Sequence, residues 1–552
     1  MPAIDDLTVG GLLRRTASRF PGREALVFPA DRVRWEWNAL DQRVDAIATG
    51  LIGAGVGPGE HVALWAMNGP EWVVAQFAVA RVGAVLVNVN PAYRLHELEG
   101  LLRQVDVATL VVGPAFKSSD FAGMVEALCP EVAAAASPTS WRSALLPSLR
   151  RLVAIGSRPG RGWVAWEDLL SARAAPEALD ARGRAIASTD VVNIQFTSGT
   201  TGMPKGAMLS HRNVLSNAEA IVGRLRLTEA DRVCVPVPLY HCFGCVMGTL
   251  VCATSGAAMV VPAPAFDPRA TLEAASVERC SAIYGVPTMF VAELAQPDLA
   301  AFDLSHLRTG IMAGSPCPLP LMRAVVETLG AAEITIGYGQ TESSPIITLT
   351  AADDPIEVRV GTVGRPIPGV EVRVIDPRTG LDVPDGEPGE LCARGPNVMA
   401  GYYREPDATA LAIDPDGWLH TGDLARRRVD GNYRIVGRSK ELIIRGGENI
   451  YPPEVEEYLC HHPAVAEVAV VGLPDPLLGE AISAWVVPKR GVSLTPEDLR
   501  EFCRGQIAHY KIPRYIQFLD TLPRTGSGKV RKYLLRERGI AEYALIEGTP
   551  TA

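Results

Sequence analysis

Short, almost wholly apolar runs alternate with helical repeats through the first 120 residues. "EALVF" (24–28), "HVALWAM" (61–67) and "ATLVVG" (108–113) are strand-sized and nearly free of polar positions. Runs of this kind, separated by helix patterns, predict α/β units with parallel sheets. The opening stretch, "MPAIDDLTVGGLLRRTASRF", starts acidic, lacks a signal-peptide core and passes into an amphipathic helix. The Ala/Pro/Ser-rich stretch "CPEVAAAASPTSWRSALLPSLR" (129–150) predicts a surface segment. Strand and helix signals resume at 191 and continue to about 345. Between 360 and 437 the texture changes to short strands with Gly/Pro turns, "GVEVRVID", "GEPGELCARG" and "NYRIVG", which predict a compact β subdomain. Beyond it the pattern predicts a helix at 453–461, strands at 466–472 and 482–488, and a helix at 496–508. That is a small α+β module whose boundary falls near Arg438–Lys440.

Composition narrows the class. A chain of 552 residues exceeds what one core holds, so two or more domains are expected. Hydrophobic residues make up 47% and charged residues 21%, an ordinary globular mixture. The net charge of −9 argues against nucleic acid as the main partner. No apolar run reaches membrane-spanning length. A cytoplasmic protein with no membrane span is the simplest expectation, with peripheral membrane contact and a homodimer left open. The ten cysteines are scattered except in "HCFGC", where Cys242 and Cys245 flank two residues beside His241. No second pair at that spacing completes a zinc set, so these cysteines read as packing residues.

The chemistry concentrates in "FTSGTTGMPKG" (196–206). Glycine lets a backbone curl and approach a ligand closely, and successive N–H groups in such a curl form an anion-binding concavity. Thr197, Ser198, Thr200 and Thr201 add hydroxyls, and Lys205 adds a point charge. The set suits a polyphosphate, although it is not the Walker pattern, because Lys205 sits between Pro204 and Gly206. A plain surface loop fits these residues as well; the flanks favour the phosphate site. "VVNIQ" before the loop reads as a buried strand. "LSHRNVLSNAEAIVGRL" after it reads as a helix, with Ser210 as N-cap and Val214, Ala218, Ile221, Val222 and Leu225 on one face. Strand, loop and helix in that order form a recurring phosphate site.

Four further stretches need a joint explanation. "IGYGQTESS" (336–344) is a strand end followed by a turn with an aromatic, hydroxyls and a carboxylate. "GWLHTGDLA" (417–425) places Asp423 in a tight turn. "GRSKELIIRGGENIYPPEVE" (437–456) combines a charged hinge with a glycine pair, and "PRTGSGKVRK" (523–532) carries Lys529 on a Gly/Ser loop. Singly, Tyr338 fits a core residue, Glu342 and Asp423 fit turns, and Lys529 fits a surface lysine.

In this order, and with the phosphate loop, the set resembles the acyl-adenylate-forming superfamily of acyl-CoA synthetases, firefly luciferases and peptide-synthetase adenylation domains. The resemblance runs from about residue 8 to residue 540 and is nearest to medium-chain fatty acyl-CoA synthetases. It implies an α/β fold with a large N-terminal domain (1–437) of two αβ lobes plus a β subdomain (about 360–437), and a small mobile α+β C-terminal lid domain (438–552). It implies that Thr197, Ser198, Gly199, Thr200, Thr201, Gly202, Met203, Pro204 and Lys205 form the ATP phosphate loop. Gly314, Ser315 and Pro316 would lie along the adenine and Tyr338 would stack on it. Thr341 would meet phosphate, Glu342 would hold Mg²⁺, Asp423 would accept from the ribose hydroxyls and Arg438 would assist there. Lys529 would reach the α-phosphate and the carboxylate; with Glu342, Thr197 and Lys205 it makes the implied catalytic set. Lys440 falls at the family's hinge, and Gly446 and Gly447 on the path of coenzyme A. His241, Phe243, Gly244, Cys245, Gly285, Val286 and Ala313 would line the acyl pocket.

The activity so implied joins a carboxylic acid to coenzyme A through an acyl-adenylate, at the expense of ATP and with release of AMP and pyrophosphate. "PVPLYHCFGCVMG" carries no acidic residue to hold an amino group, which disfavours an amino-acid substrate. The lid stretch "HYKIPR" (509–514) is a form common in free CoA ligases. An acyl-AMP ligase loading a separate carrier protein and a non-catalytic nucleotide-binding relative are the alternatives.

Overall fold

A computed structural model describes residues 6–157, 160–171, 176–197, 204–315, 317–445, 448–475, 477–504, 506–524, 529–543 and 545. The expected site residues Ser198, Gly199, Thr200, Thr201, Gly202, Met203, Pro316, Gly446 and Gly447 lie outside them. The chain divides into two compact units, Met1–Val372 with Ala393–Leu419, and Arg373–Cys392 with His420–Ala552.

Among the described residues, the first unit is built on two sheets. One runs Gly401–Tyr402, Lys205–Ser210, Val191–Thr197, Val85–Asn88, His61–Trp65, Thr109–Val112, Arg151–Ala154, Val164–Ala165. Its pairs from Val191–Thr197 to Val164–Ala165 are all parallel. The other runs Arg365–Pro366, Ile346–Leu349, Glu333–Gly339, Thr309–Ala313, Ala282–Gly285, Arg232–Cys234, Ala258–Val260, Glu24–Phe28, Val33–Glu36. It is parallel from Glu333–Gly339 to Glu24–Phe28 and closes with antiparallel strands at both edges. Strands covered on both faces need apolar side chains at successive positions, and "VLVN" and "TLVV" are buried throughout. No helix among the described residues is long and apolar enough to cross a membrane.

The stretch 129–150, expected at the surface, does expose much of its length but is anchored in the core by a few side chains. Cys129, Val132, Trp141, Leu146 and Leu149 are buried against Trp65, Phe121 and Leu152. The Trp141 indole donates to the Gly162 carbonyl at 3.0 Å. Average composition concealed five spaced apolar side chains, which is enough to anchor an irregular segment.

In the second unit, Glu371–Ile375, Pro388–Arg394, Leu419–Arg427 and Tyr433–Arg438 form a four-stranded sheet among the described residues. A second sheet pairs Ile443–Arg445 with Glu448–Ile450 and Gly479–Pro488, and the latter with Val465–Asp475 and Tyr515–Phe518. Arg434 and Glu457 join the strand Tyr433–Arg438 to the helix Pro452–Cys460 at 2.7 Å, so the division by contact runs inside the 360–437 segment. The helix expected at 496–508 spans Pro496–Cys503, and Arg504 turns to extended backbone.

Glu293, on the helix Pro287–Leu294, is fully buried in the first unit, and neither carboxylate oxygen has a hydrogen-bond partner among the described residues. Burial pushes its pKa well above the ordinary carboxylate range. An acid whose folded pKa is raised stays protonated while the unfolded chain ionises, so stability is lost as pH rises above the unfolded pKa, by up to about 1.4 kcal/mol per pH unit. Glu293→Gln removes that ionisation. Melting of the full chain should show the variant gaining on the parent from pH 5.5 to pH 8. A difference that does not vary over that range would mean the Glu293 carboxyl is ionised in the native protein.

Candidate active site

The parallel strands Ala282–Gly285, Thr309–Ala313 and Glu333–Gly339 are neighbours, with Gly285 opposite Met312 and Ala313 opposite Gly337. Their carboxyl ends bring Gly285 and Val286, Ala313 to Ser315, and Tyr338 to one edge of the sheet. Open α/β sheets bind ligands outside that edge. Gly314 takes a left-handed conformation (φ +90°), and a Cβ there would lie 3.2 Å from Val286 Cγ1. The expected adenine turn and the expected acyl pocket therefore adjoin. Tyr338 is half-buried at its strand end. The turn Thr341–Ser343 follows, locked by Ser343 N to the Gln340 carbonyl (2.9 Å) and Gln340 N to Ser343 Oγ (3.1 Å). This turn buries Glu342.

The expected phosphate loop is not followed directly by a helix. Val191–Thr197 and Lys205–Ser210 are antiparallel, with Thr197 opposite Lys205, so residues 198–204 join two strands of one hairpin. The helix begins at His211, and its first turn is closed locally: Asn213 N donates to Ser210 Oγ (3.1 Å) and Ser210 N to Asn213 Oδ1 (2.8 Å). The expected strand–loop–helix site is corrected accordingly. Ser210 caps the helix as read, but the strand Lys205–Ser210 separates that cap from the loop.

Gly401–Tyr402 pairs with the other side of the strand Lys205–Ser210, placing Tyr402 opposite Ala207. Tyr402 donates its hydroxyl to Glu342 Oε1 at 2.7 Å, and Lys205 Nζ lies 5.0 Å from the centre of its ring. Burial, and after it the Glu342 carboxylate, pushes the Tyr402 phenol well above the usual range, so it remains a donor. Gln104 donates to the Pro204 carbonyl and to Glu405, each at 3.2 Å, and holds the end of the loop. Sequence reasoning missed Tyr402 and Gln104. The aromatic pair after glycine in "AGYYREP" was the available signal, but its partner Glu342 stands 60 positions away.

His241 caps the short helix Cys242–Gly244: Phe243 N donates to His241 Nδ1 at 3.2 Å. A π-helical turn, Cys245–Leu250, follows. The Phe243 ring meets the Tyr284 ring at 5.9 Å. Cys245 Sγ accepts from the Gln195 and Asn88 amides at 3.2 and 3.5 Å, and burial pushes its thiol well above the usual range. Cys242 and Cys245 are not joined in a disulfide. A Cβ on Gly244 would fall 2.2 Å from the Pro238 carbonyl oxygen, and one on Gly285 2.9 Å from the Phe290 ring. Close packing thus requires glycine at both positions, apart from any part they take in a pocket.

In the second unit, Asp423 lies in the strand Leu419–Arg427, not in the tight turn expected of it; Gly422 beside it takes the positive φ of +69°. Asp423 stands opposite Arg438, whose Nε contacts Asp423 Oδ1 at 3.0 Å, and the carboxylate is only 8% exposed. Lys440 is exposed in the turn Ser439–Glu441. Lys529 is exposed next to Val530, which bridges to Arg524.

The first unit thus sets a lysine, a phenol and a buried acid together beside a loop-bearing hairpin of an α/β sheet. The family profile for AMP-binding enzymes matches residues 13–403, and that for the AMP-binding enzyme C-terminal domain matches residues 454–529. YngI of Bacillus subtilis (strain 168), whose own assignment as an acyl-CoA synthetase is provisional, is 48% identical over 540 residues, 98% of each chain. The human mitochondrial medium-chain acyl-CoA ligase ACSF2 is 41% identical over 542 residues, 97% of this chain and 88% of that one. The crystal structure of the anthranilate CoA ligase AuaEII with anthranoyl-AMP superposes at TM-score 0.86 with 28% identity, covering 99% of both chains. ATP-bound MatB from Rhodopseudomonas palustris superposes at 0.83 with 30% identity, over 97% of this chain and 100% of that one. The chain belongs to the AMP-binding enzyme family, the acyl-adenylate-forming superfamily its motifs resemble. It is an acid–thiol ligase of the AMP-forming kind.

Tyr402→Phe keeps the ring beneath Lys205 and removes only the hydrogen bond to Glu342. A hydrogen bond to a charged group contributes about 1.5–3 kcal/mol. Ligase kcat/KM should therefore fall about 10–100-fold, with little change in Tm. Unaltered kcat/KM would show that Glu342 holds its position without the phenol.

Proposed function

We propose that the acid is a medium-chain fatty acid and that free coenzyme A is the acceptor. The observation that carries this reading is the near full-length similarity to medium-chain acyl-CoA ligases, 41–43% identical over at least 96% of this chain. The expected pocket residues Phe243, Val286 and Ala313 support it, because they offer no cation to a second carboxylate and no anion to an amino group.

The carboxylate oxygen attacks the α-phosphorus of ATP. The bond to pyrophosphate breaks and an acyl-adenylate forms. The thiol of coenzyme A then attacks the acyl carbonyl, and AMP leaves. Negative charge crowds the first step, so cations dominate its catalysis. In this reading Lys205 meets the polyphosphate, Lys529 meets the α-phosphate and the attacking carboxylate, and Thr341 donates to phosphate. Asp423 and Arg438 take the ribose, and Tyr338 covers the adenine. A buried carboxylate steadied by a phenol suits magnesium, which takes few protein oxygens beside substrate phosphates. Glu342 would hold that ion, and the ion would neutralise phosphate charge. His241, its Nδ1 engaged in capping, positions the pocket helix Cys242–Gly244 rather than moving a proton. We place the hinge at Lys440, the path of coenzyme A at Gly446 and Gly447, and the working division between a catalytic domain and a lid near residue 438.

A panel of acetate, octanoate, palmitate, benzoate and several amino acids, each with ATP and coenzyme A, tests the acid. The highest kcat/KM should fall at octanoate, with AMP and pyrophosphate as products. An optimum at acetate, benzoate or an amino acid would overturn the chain-length assignment. If turnover instead needs a carrier protein, coenzyme A is not the acceptor.

Lys529→Ala tests the division of labour. Losing one preorganised cation from developing charge costs on the order of 10²–10³-fold in rate. Adenylate formation should fall by such a factor, whereas presynthesised acyl-adenylate should still yield acyl-CoA at close to the parent rate. Equal damage to both half-reactions would assign Lys529 to a single fixed site.

A further inference from the structure

A second cluster of ligand-type side chains lies in the four-stranded sheet of the second unit, outside the residues given a role above. Glu390 and Cys392 are two apart on the strand Pro388–Arg394 and so face the same side of it. His420 comes from the adjacent strand Leu419–Arg427. Cys392 Sγ lies 3.6 Å from His420 Nδ1, and His420 Nδ1 lies 3.1 Å from Glu390 Oε2. One ligand atom from each residue falls within 4.8 Å of the other two, and among the described residues this is where three such atoms converge.

We propose that Glu390, Cys392 and His420 form a binding site for a thiophilic divalent cation of the zinc type. Tetrahedral zinc with bonds of about 2.0–2.3 Å requires ligand atoms about 3.4–3.6 Å apart. Of the three separations, the sulfur–nitrogen one of 3.6 Å matches such an edge, the nitrogen–oxygen one of 3.1 Å is a little short of it, and the third lies within 4.8 Å. Thiolate, imidazole and carboxylate are three ligand types zinc accepts, and three protein ligands leave a fourth position for water. A thiolate and a carboxylate together cancel the charge of the ion, so no net charge is left in a half-buried site. The second oxygen of Glu390 already accepts from Gly422 N at 3.0 Å, which orients the carboxylate as an outer partner would. On binding, a metal–sulfur bond replaces the S–H bond of Cys392 and that proton goes to solvent. The neutral imidazole moves its proton to Nε2, and Nδ1 becomes the donor to the metal.

Cobalt(II) titration of the full, metal-free chain tests the site directly. One equivalent should produce a thiolate-to-cobalt charge-transfer band in the near ultraviolet, with the intense visible bands of tetrahedral cobalt, and zinc should abolish both. Cys392→Ser should lose the charge-transfer band. His420→Asn and Glu390→Gln should each weaken cobalt binding about tenfold or more. Absence of the band in the parent chain overturns the proposal whatever the variants do, and a band that survives Cys392→Ser assigns the metal to another cysteine.

Discussion

The antiparallel pairing of Val191–Thr197 with Lys205–Ser210 is the interaction on which the site in the first unit depends. It sets Thr197 and Lys205, which bound the expected phosphate loop, opposite each other on one hairpin. The second face of that pairing recruits Gly401–Tyr402. A two-residue strand has little stability of its own. Here Tyr403 N also donates to the Gly206 carbonyl at 2.8 Å, and Ala400 N to the Met208 carbonyl at 2.9 Å, so four consecutive residues follow the hairpin edge. Tyr402 then fixes Glu342. One strand register thus sets the relative positions of a loop, a lysine and a carboxylate that lie far apart in sequence.

The hairpin strand is held in turn by a buried polar seam. Asn193 donates to the Leu86 carbonyl (2.8 Å) and to Asn88 Oδ1 (3.0 Å), and Gln195 donates to Asn193 Oδ1 (2.6 Å) and to Cys245 Sγ (3.2 Å). Gln76 takes the Cys245 carbonyl at 2.8 Å, at the start of the π-helical turn. Buried amides cost several kcal/mol if left unpaired, so they tolerate few alternative packings. The seam links the loop-bearing strand to the segment that follows His241, which is a reason for amides to stand inside an otherwise apolar sheet.

The large pattern was legible in the sequence because it rests on local period and on motif order. Continuous apolar runs marked parallel strands, and Ser210 marked the start of its helix. What was not legible depends on long-range pairing. Asp423 reads as a turn residue in "HTGDLA", since Gly-Asp favours turns, but pairing with the strand Tyr433–Arg438 draws it into a sheet beside Arg438. The strand Lys205–Ser210 was hidden because "KGAMLS" is short and joins the helix without a break. At Gly244 and Gly285 the neighbours Pro238 and Phe290 occupy the space a side chain would need, a packing demand that the sequence does not show. The 129–150 segment misled because its composition is that of a loop while its few large residues are those of a core.

The two acids assigned to the nucleotide and Lys529, assigned to the first step alone, are placed in different ways. Glu342 and Asp423 are nearly buried, and each is oriented by a partner already in place, Tyr402 and Arg438. Lys529 is exposed on a long stem, whereas Lys205 is half-buried with its Nζ 5.0 Å from the centre of the Tyr402 ring. Fixing such a side chain in one place costs about 1.5–2 kcal/mol of rotamer entropy. A carboxylate that must accept from fixed ribose hydroxyls, or hold a small hard ion, gains from being set beforehand, because misplacement weakens every bond it makes. A cation that serves one half of a two-step reaction gains from the reverse. Held rigidly on a phosphate, it would stabilise the bound adenylate as strongly as the transition state that forms it, and uniform binding adds nothing to turnover. Buried, oriented acids and an exposed lysine for the first step are therefore a distribution that a reaction in two chemically different steps favours.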